Sequence, residues 1–352
     1  MTLFYVAFSA IPSDKANGIQ VMRMCEAFAG FVDDVQLLCR KGRLPTGDIF
    51  EYYGVRKCFE IQAIHVPAMR ITNRLRFAYV VASRLREQKS PVTVYLREQF
   101  MAGIACRMHP MKHRVILEVH APPTNRFWHW WFRRMVRSGN LSHLVTISQA
   151  LADEYQRLFP ELSREKVIVA HDGASAAAGV MTDEKPGATS GNGRRVTLGY
   201  VGSLRPGKGM EIIQELAPQL PQFDFHIVGG DEESVRYWQG KARQDNVIFH
   251  GLVSPPRAQE YIATFDIVLA PYQPVVLVGD DNVDIGRWMS PLKIFEYMSH
   301  GKPIIASDLP VLREILKDGH NALLADPGDA SDWTKKVIQL AADAELGRAI
   351  DR

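Results

Sequence analysis

The chain has 352 residues, of which 46% are hydrophobic and 23% are charged, and its formal net charge at pH 7 is +3. This composition is typical of a folded globular protein, and the length favours two domains over a single hydrophobic core. No stretch is apolar enough for a membrane-spanning helix, and the N-terminal MTLFYVAFSA lacks the basic start and cleavage site of a signal peptide. The four cysteines show no paired spacing, so a reducing cytoplasm is expected.

The net charge hides an asymmetry between the two halves. Residues 1–172 contain 24 Lys and Arg against 15 Asp and Glu, a balance of +9, whereas the remainder contains 18 against 24, a balance of −6. The basic half predicts a face that meets something anionic, and an ordinary solvated surface is the alternative. Nucleic acid is not expected among the partners.

The first half alternates short apolar runs with segments of helical spacing, which predicts a parallel, doubly wound sheet. The predicted strands are Thr2–Phe8, Asp34–Cys39, Ile61–Val66, Val92–Leu96, Val115–Val119, His143–Ile147 and Val167–Ala170.

Ligands bind beyond the carboxyl ends of strands in such sheets. Arg97 and His120 each follow a predicted strand and are therefore candidate site residues. Gly18 lies in the first strand-to-helix loop, before a predicted helix Val21–Phe28, where a glycine lets the backbone approach a ligand phosphate.

Two segments of the first half combine cations with apolar residues. Residues 70–89 form a predicted basic helix with an apolar face, and residues 126–137 (RFWHWWFRRMVR) interleave aromatic and Arg side chains. One interpretation is peripheral contact with an anionic membrane, because aromatic side chains favour interfaces and Arg pairs with phosphates. The other is a helix with one face in the core. The basic character of this half favours the membrane.

Residues 174–195 are small, polar and rich in glycine, and they read as an interdomain linker. The same alternation of strands and helices then restarts with Val196–Val201. The loop after this strand contains Gly202, Gly207 and Gly209 together with two cations, and it opens a helix. Flexible backbone, positive charge and a helix N-terminus together favour phosphate binding. The loop is not a Walker A motif, since Gly209 stands where Ser or Thr is required.

The stretch Ser290–Asp308 (SPLKIFEYMSHGKPIIASD) predicts a helix that begins near Pro291 with Ser290 as its N-cap. The helix would end at Gly301, before a buried strand. Glu296 then lies in the second helical turn, near a helix end that offers unpaired N–H groups to an anion.

No metal site is expected. Asp280, Asp281 and Asp284 lie on a loop without a His partner and read as a solvated acidic surface. His109 and His113 are four residues apart, but Pro110 between them argues against one shared helix.

These features together resemble the GT-B glycosyltransferases, most closely the retaining glycosyltransferase family four, also called glycosyl transferases group 1. The resemblance is strong over residues 196–326 and weaker over residues 1–172. It implies an α/β GT-B fold in which two Rossmann-like, doubly wound domains face each other across a cleft. The implied boundaries are an N-terminal acceptor-side domain over 1–173, the linker 174–195, and a C-terminal nucleotide-sugar domain over 196–352.

The resemblance also assigns residue roles on the donor side. Lys208 corresponds to the family lysine that grips the donor diphosphate, and Glu296 to the second Glu of the family's paired-Glu motif, which binds the ribose hydroxyls. The family usually has Arg where this chain has Ser203, and Arg205 is the candidate to supply that charge. The implied donor site comprises Gly18, Gly202, Ser203, Arg205, Lys208, Ser290, Glu296 and the backbone of Leu292 and Lys293.

The sugar side departs from the family pattern. The first Glu of the pair falls at Trp288, and Asp284 is the candidate to replace its contact with the sugar. His120 stands where the family's active-site His contacts the transferred sugar, so the implied catalytic residues are His120, Lys208 and Glu296. Arg97 and Ser148 are candidates for contacts with the sugar or the acceptor.

The resemblance implies a retaining hexosyltransferase that uses a UDP- or GDP-sugar and no cofactor. The acceptor would be a lipid-linked or polysaccharide glycan precursor, and the location cytoplasmic with peripheral membrane contact. A GT-B UDP-sugar epimerase and a non-catalytic nucleotide-sugar-binding subunit are the alternatives. A NAD dehydrogenase is disfavoured, since no GxGxxG with a following acidic residue is in place. Family members usually extend beyond the equivalent of this C-terminus, so a shortened chain is a further expectation.

Overall fold

The computed structural model describes residues 1–44, 47–66, 70–107, 113–175, 194–242, 244–278, 283–343 and 347. They form two compact units, Met1–His171 and Asp172–Arg352. Most of the predicted linker lies outside the described residues, as do Asp280, Asp281 and His109.

The N-terminal unit is built on one parallel sheet of seven strands in the order β3-β2-β1-β4-β5-β6-β7. Its strands are β1 (Thr2–Ile11), β2 (Asp34–Lys41), β3 (Glu60–Ile64), β4 (Thr93–Leu96), β5 (Arg114–Val119), β6 (Leu141–Thr146) and β7 (Val167–Val169). All seven were predicted, with ends that differ by a few residues. The strand order reverses at β1, which pairs with both β2 and β4, and this is the position where doubly wound sheets bind ligands.

Helices connect these strands. They are α1 (Ala16–Phe28), α2 (Ile49–Tyr53), α3 (Arg70–Arg86), α4 (Gln99–Ala105), α5 (Arg126–Arg137) and α6 (Gln149–Leu158).

The first helix begins five residues before its predicted start, so the prediction that Gly18 lies in a loop is wrong. The Gly18 N–H donates to the carbonyl of Lys15 at 2.8 Å, which closes the first helical turn. A Cβ at Gly18 would lie 2.9 Å from both Ser13 Oγ and the Tyr53 hydroxyl. Close packing therefore accounts for glycine at this position.

The C-terminal unit repeats the architecture with a six-stranded parallel sheet in the order β10-β9-β8-β11-β14-β15 and a short antiparallel hairpin, β12-β13. Its strands are β8 (Thr197–Val201), β9 (Asp224–Val228), β10 (Val247–Gly251), β11 (Ile267–Ala270), β12 (Leu277–Val278), β13 (Val283–Asp284), β14 (Ile304–Ser307) and β15 (Leu323–Ala325). Its helices are α7 (Met210–Leu216), α8 (Glu232–Lys241), α9 (Pro255–Thr264), α10 (Leu292–Ser299) and α11 (Ala330–Ala342).

Both faces of this second sheet are covered. One core cluster includes Tyr200, Phe225 and Trp333, and the other includes Phe265 and Tyr297. Burial on both faces explains why the strands read as continuous apolar runs. In the part of the chain that the structure describes, no helix is both long and apolar enough to cross a membrane.

Candidate functional site

The loop that joins β8 to α7, residues 202–210, is held in a conformation that only glycines adopt easily. Gly202, Gly207 and Gly209 have φ angles of +149°, +79° and +120°. A Cβ at Gly207 would lie 2.1 Å from the carbonyl oxygen of Val275, and one at Gly209 would lie 2.3 Å from the Pro271 ring. These glycines let the loop pack directly on the segment after β11.

Helix α10 is anchored beside the end of β8. The Tyr297 hydroxyl accepts a hydrogen bond from the Val201 N–H at 2.9 Å. The predicted N-cap is wrong, because Pro291 occupies the cap position and forms no side-chain cap hydrogen bond. Ser290 is buried, and its Oγ instead accepts a hydrogen bond from the N–H of Asp172 at 2.8 Å.

The side chain of Lys293 is the most unusual feature of this helix. Only 7% of the residue is exposed, and its Nζ has no hydrogen-bond partner among the described residues. The ammonium lies 3.7 Å from the centroid of the Tyr200 ring and 5.0 Å from that of Tyr272. A Cβ at Gly202 would be 3.0 Å from Nζ, so the glycine loop passes directly over this cation.

Lys208 shares this environment and completes what we call the lysine pair, Lys208 and Lys293. Its Nζ lies 5.4 Å from the centroid of the same Tyr272 ring. Burial, assisted by the charge of Arg205, lowers the pKa of Lys208 to about 8. Burial and the charge of Lys208 lower the pKa of Lys293 well below its ordinary value, against the opposing effect of Glu296. Two neighbouring buried cations form a candidate site for an anion.

Glu296 is half-buried one helical turn after Lys293. Its Oε1 accepts a hydrogen bond from Gln259 Nε2 at 2.8 Å, and Gln259 Oε1 lies 2.8 Å from His300 Nε2. This chain of contacts fixes the orientation of the carboxylate. An oriented carboxylate suits two vicinal hydroxyl groups.

Trp288 stands where the family has the first Glu of its pair, and Asp284 is the residue predicted to replace that carboxylate. Trp288 is half-buried, with the Arg287 guanidinium 4.8 Å from its ring centroid. Asp284 Oδ1 accepts hydrogen bonds from the N–H groups of Val276 and Gly286, both at 2.9 Å. These contacts give Asp284 a role in holding the β12-β13 hairpin, and its contact with a sugar stays a prediction.

In the N-terminal unit, Arg97 and His120 belong to one buried polar cluster with Glu118 and Tyr95. Glu118 Oε1 lies 2.9 Å from Arg97 Nε and 2.6 Å from His120 Nε2, and its Oε2 accepts a hydrogen bond from the Tyr95 hydroxyl at 2.5 Å. Arg97 Nη2 also donates to Gln20 Oε1 at 2.7 Å. The polar cluster therefore joins β4, β5 and α1 at the carboxyl edge of the sheet.

The charges in the polar cluster balance locally. Burial alone would raise the pKa of Glu118, but Arg97 and hydrogen bonds from His120 and Tyr95 lower it to about 2. Burial, followed by the Arg97 charge, lowers the pKa of His120, against the effect of Glu118. His120 is thus a neutral imidazole near pH 7, with a third of its side chain exposed and able to meet a ligand.

The remaining candidates are dispersed. Ser148 is fully buried and caps α6, where its Oγ accepts from the N–H of Leu151 at 3.2 Å. Ser203 and Arg205 are exposed on the glycine loop. No group of three or more His, Cys, Asp or Glu side chains is arranged for a metal ion within the described ranges.

Sequence reasoning missed several of these functional candidates. The side chains of Lys293, Tyr200 and Tyr272 were not predicted to build the site, nor was Glu118 in the N-terminal unit. One signal was available for Lys293, which stands between the apolar residues Leu292 and Ile294 in the sequence.

Comparison with known proteins identifies a matching family and several similar sequences. Residues 195–343 match the family described as Glycosyl transferases group 1. A Bacillus subtilis protein named as a teichuronic acid biosynthesis glycosyltransferase, TuaH, is 28% identical over 156 residues, which are 44% of this chain and 37% of that protein. The phosphatidyl-myo-inositol mannosyltransferase of Mycobacterium leprae is 29% identical over 140 residues, which are 38% of this chain and 34% of that protein. The matched stretches thus span little more than a third of these relatives.

Solved structures extend the likeness to both units. Anabaena HepE in complex with UDP superposes with a TM-score of 0.69 at 17% identity, covering 100% of this chain and 93% of that chain. The same protein in complex with UDP-glucose gives 0.68 at 16% identity, covering 100% and 92%. The fold is therefore that of a GT-B glycosyltransferase, as predicted. Within it, residues 195–343 match the family described as Glycosyl transferases group 1, and this match supports the predicted class of transferase.

Proposed function

We propose that the protein is a retaining glycosyltransferase that moves a hexosyl group from a UDP- or GDP-sugar to an acceptor hydroxyl. The observation that carries this proposal is the lysine pair, in which Lys293 lies beneath Gly202 and Lys208 lies near the Tyr272 ring. Two desolvated ammonium groups at a glycine loop are suited to bind a diphosphate.

Lys293 also compensates for the Arg that the family usually has where this chain has Ser203. The charge that the family places on an Arg after the loop glycine is supplied in this chain by Lys293, which reaches Gly202 from the neighbouring helix. Arg205 is exposed and contributes from the outer side of the loop.

The lysine pair would also assist the chemistry. As the nucleoside diphosphate leaves, negative charge develops on its terminal phosphate, and fixed cations stabilise that charge more strongly than water does. Retention is expected from attack on the leaving-group face, with the departing phosphate helping to remove the acceptor's proton. Glu296 would bind the ribose hydroxyls and His120 the transferred sugar.

The names of similar proteins support a nucleotide-sugar donor and a cell-surface glycan or lipid acceptor. Anabaena HepE is described in complex with UDP and with UDP-glucose. One sequence relative is named for teichuronic acid biosynthesis and another as a phosphatidyl-myo-inositol mannosyltransferase. The acceptor proposed for this chain is accordingly a lipid-linked or polysaccharide precursor.

Peripheral membrane contact is proposed through α5 and the adjacent α3. Phe127 and Trp130 on α5 are 51% and 49% exposed, and the Arg134 guanidinium lies 5.3 Å from the Trp130 ring centroid. Phe132 and Met135 of the same helix are buried, so the core interpretation holds for the opposite face. Exposed aromatic side chains beside Arg are suited to a phospholipid headgroup region.

Product analysis with candidate donors tests the proposal. Wild-type protein should release UDP or GDP in step with glycosylation of an acceptor, whereas Lys208→Ala and Glu296→Ala should each lose most turnover. For Lys208, loss of the contact to the developing charge typically costs about 3–4 kcal/mol of barrier, roughly a hundredfold or more in rate. Near-wild-type transfer by either variant would contradict these assignments. Conversion of the sugar without coupled nucleotide release would indicate an epimerase, and binding without any turnover a non-catalytic subunit.

A further inference from the structure

A second basic pocket lies in the N-terminal unit, at the carboxyl ends of β1 and β2. Its volume is about 400 Å³. It opens on the same edge of the sheet as His120, and ligands of doubly wound sheets bind along this edge. The charged and polar residues that line it are Ser13, Asp14, Arg40, Lys41, Arg43 and Asn73.

The lining carries three cations against one carboxylate, Asp14. Neither Lys41 nor Arg43 forms an ion pair with any residue that the structure describes. Arg40 is held in place, because its Nε donates to the carbonyl of Phe8 at 2.8 Å and its guanidinium lies 4.4 Å from the Phe8 ring centroid. A fixed guanidinium with two further cations nearby is suited to bind an oxyanion.

One polar side chain in the wall also lacks a partner among the described residues. Asn73 is 8% exposed, and its Oδ1 has no hydrogen-bond partner. An Asn carboxamide donates to an anion when its amide nitrogen faces the pocket. Buried polar groups are normally hydrogen-bonded, so Asn73 favours a polar ligand at this place.

The pocket is preformed by close packing of its loops. The Gly42 N–H donates to the carbonyl of Ile11 at 2.8 Å, and a Cβ at Gly42 would lie 1.9 Å from the Pro12 carbonyl oxygen. The Tyr53 hydroxyl also accepts from the Ser13 N–H at 2.7 Å and donates to the Ser13 carbonyl at 2.8 Å. These contacts fix the loop that carries Ser13 against the loop that carries Lys41 and Arg43.

We propose that this pocket binds an anionic group, a carboxylate or a phosphate, on the saccharide that accepts the hexosyl group. This inference rests on the proposed glycosyl transfer. The volume is that of a small-molecule site and exceeds what an isolated anion needs, so a sugar ring with its charged substituent is the expected occupant. A neutral saccharide would add no counter-charge to the three cations of the pocket, which outnumber its one carboxylate, Asp14.

The test is a binding titration of the full chain with soluble saccharides. A hexuronate and a hexose 6-phosphate are compared with the neutral hexose and with inorganic phosphate. The variant Lys41→Gln/Arg43→Gln removes two exposed cations of the pocket, so it is expected to fold. Arg114→Gln/Arg164→Gln removes two exposed cations of the same unit outside the pocket lining and serves as the matched control.

Charged saccharides should bind more tightly than the neutral hexose, and the pocket variant should weaken them by about tenfold or more, with no change in the control. Tighter binding of the hexuronate or of the hexose phosphate identifies the charged group. Equal binding of charged and neutral saccharides, or an unaffected pocket variant, would overturn the proposal. UDP binding is measured in parallel, so a failed pocket with intact UDP binding leaves the donor site standing. Failure of every nucleotide to bind would instead remove the proposed function, and the acceptor role with it.

Discussion

Replacement of Lys293 by Met separates a ligand-binding role from a structural one. Met keeps the apolar stem against the Tyr200 ring and removes a charge that is 93% buried and lacks a hydrogen-bond partner among the described residues. The substitution removes the desolvation cost of this charge. This gain exceeds the loss of the cation–π contact, which is worth about 2 kcal/mol. We therefore expect the free energy of unfolding to stay unchanged or to rise by about 1 kcal/mol. A charged contact to the diphosphate contributes about 1.5–3 kcal/mol, so the Kd for UDP or GDP should rise roughly ten- to 150-fold.

Calorimetric titration with UDP and GDP measures the change in Kd, and chemical denaturation measures the change in the free energy of unfolding. Lys302→Met is the matched control, because Lys302 Nζ donates to the carbonyls of Ala263 and Phe265 at 2.6 and 2.8 Å. This control should lower stability and leave nucleotide affinity unchanged. If Lys293→Met instead lowers stability and binds nucleotide like the wild type, the reasoning about the lysine pair is refuted.

Three further predictions concern the pH and the packing. Lys208 must be protonated to bind a diphosphate, and its pKa in the ligand-free protein is about 8. A bound anion raises this pKa, so nucleotide affinity is fully present below pH 8 and falls above it. The Kd for UDP should therefore rise from about pH 7 to about pH 9, a slope that Lys208→Met should reduce and whose absence in the wild type would count against the assignment. Glu118→Gln leaves Arg97 without its carboxylate and should cost about 3 kcal/mol of unfolding free energy. The pKa of Glu118 in the folded protein is lowered to about 2, so its contribution to stability is present above the ordinary pKa of 4.5 and is lost as the pH falls toward 2. Acid denaturation of Glu118→Gln that matches the wild type would argue against this ion pair. Gly209→Ala should destabilise the protein by about 1–3 kcal/mol, because Gly209 has a φ of +120° and packs against Pro271. Gly240→Ala, in an open helical position, should be neutral or stabilising, and thermal unfolding measures both variants. Equal effects of the two glycine substitutions would contradict the account of the loop.

The sequence was sufficient to predict the two parallel sheets, because their strands are short apolar runs bounded by turn residues. The run at Ile304–Ser307, for example, is buried along its whole length, as a strand covered on both faces must be. The start of α1 was missed because polar residues around Ala16 form the first turn through backbone hydrogen bonds, which leave no hydrophobic pattern.

The site was predicted only in part for a different reason. The glycine loop and Glu296 are local motifs, so their positions can be read along the chain. The burial of Lys293 depends on how closely Gly202 and two tyrosines approach it from other elements, and a single-chain pattern does not distinguish a buried stem from one that reaches water. Glu118 likewise reads as part of a strand until its neighbours on β4 are known.

Thermal unfolding of the full chain in the presence of UDP, GDP and their sugars tests the central claim most directly. We predict that at least one of these nucleotides raises the unfolding temperature of the wild type, and that Glu296→Ala reduces the increase. Failure of all of them to shift the transition would contradict a nucleotide-sugar site at the lysine pair.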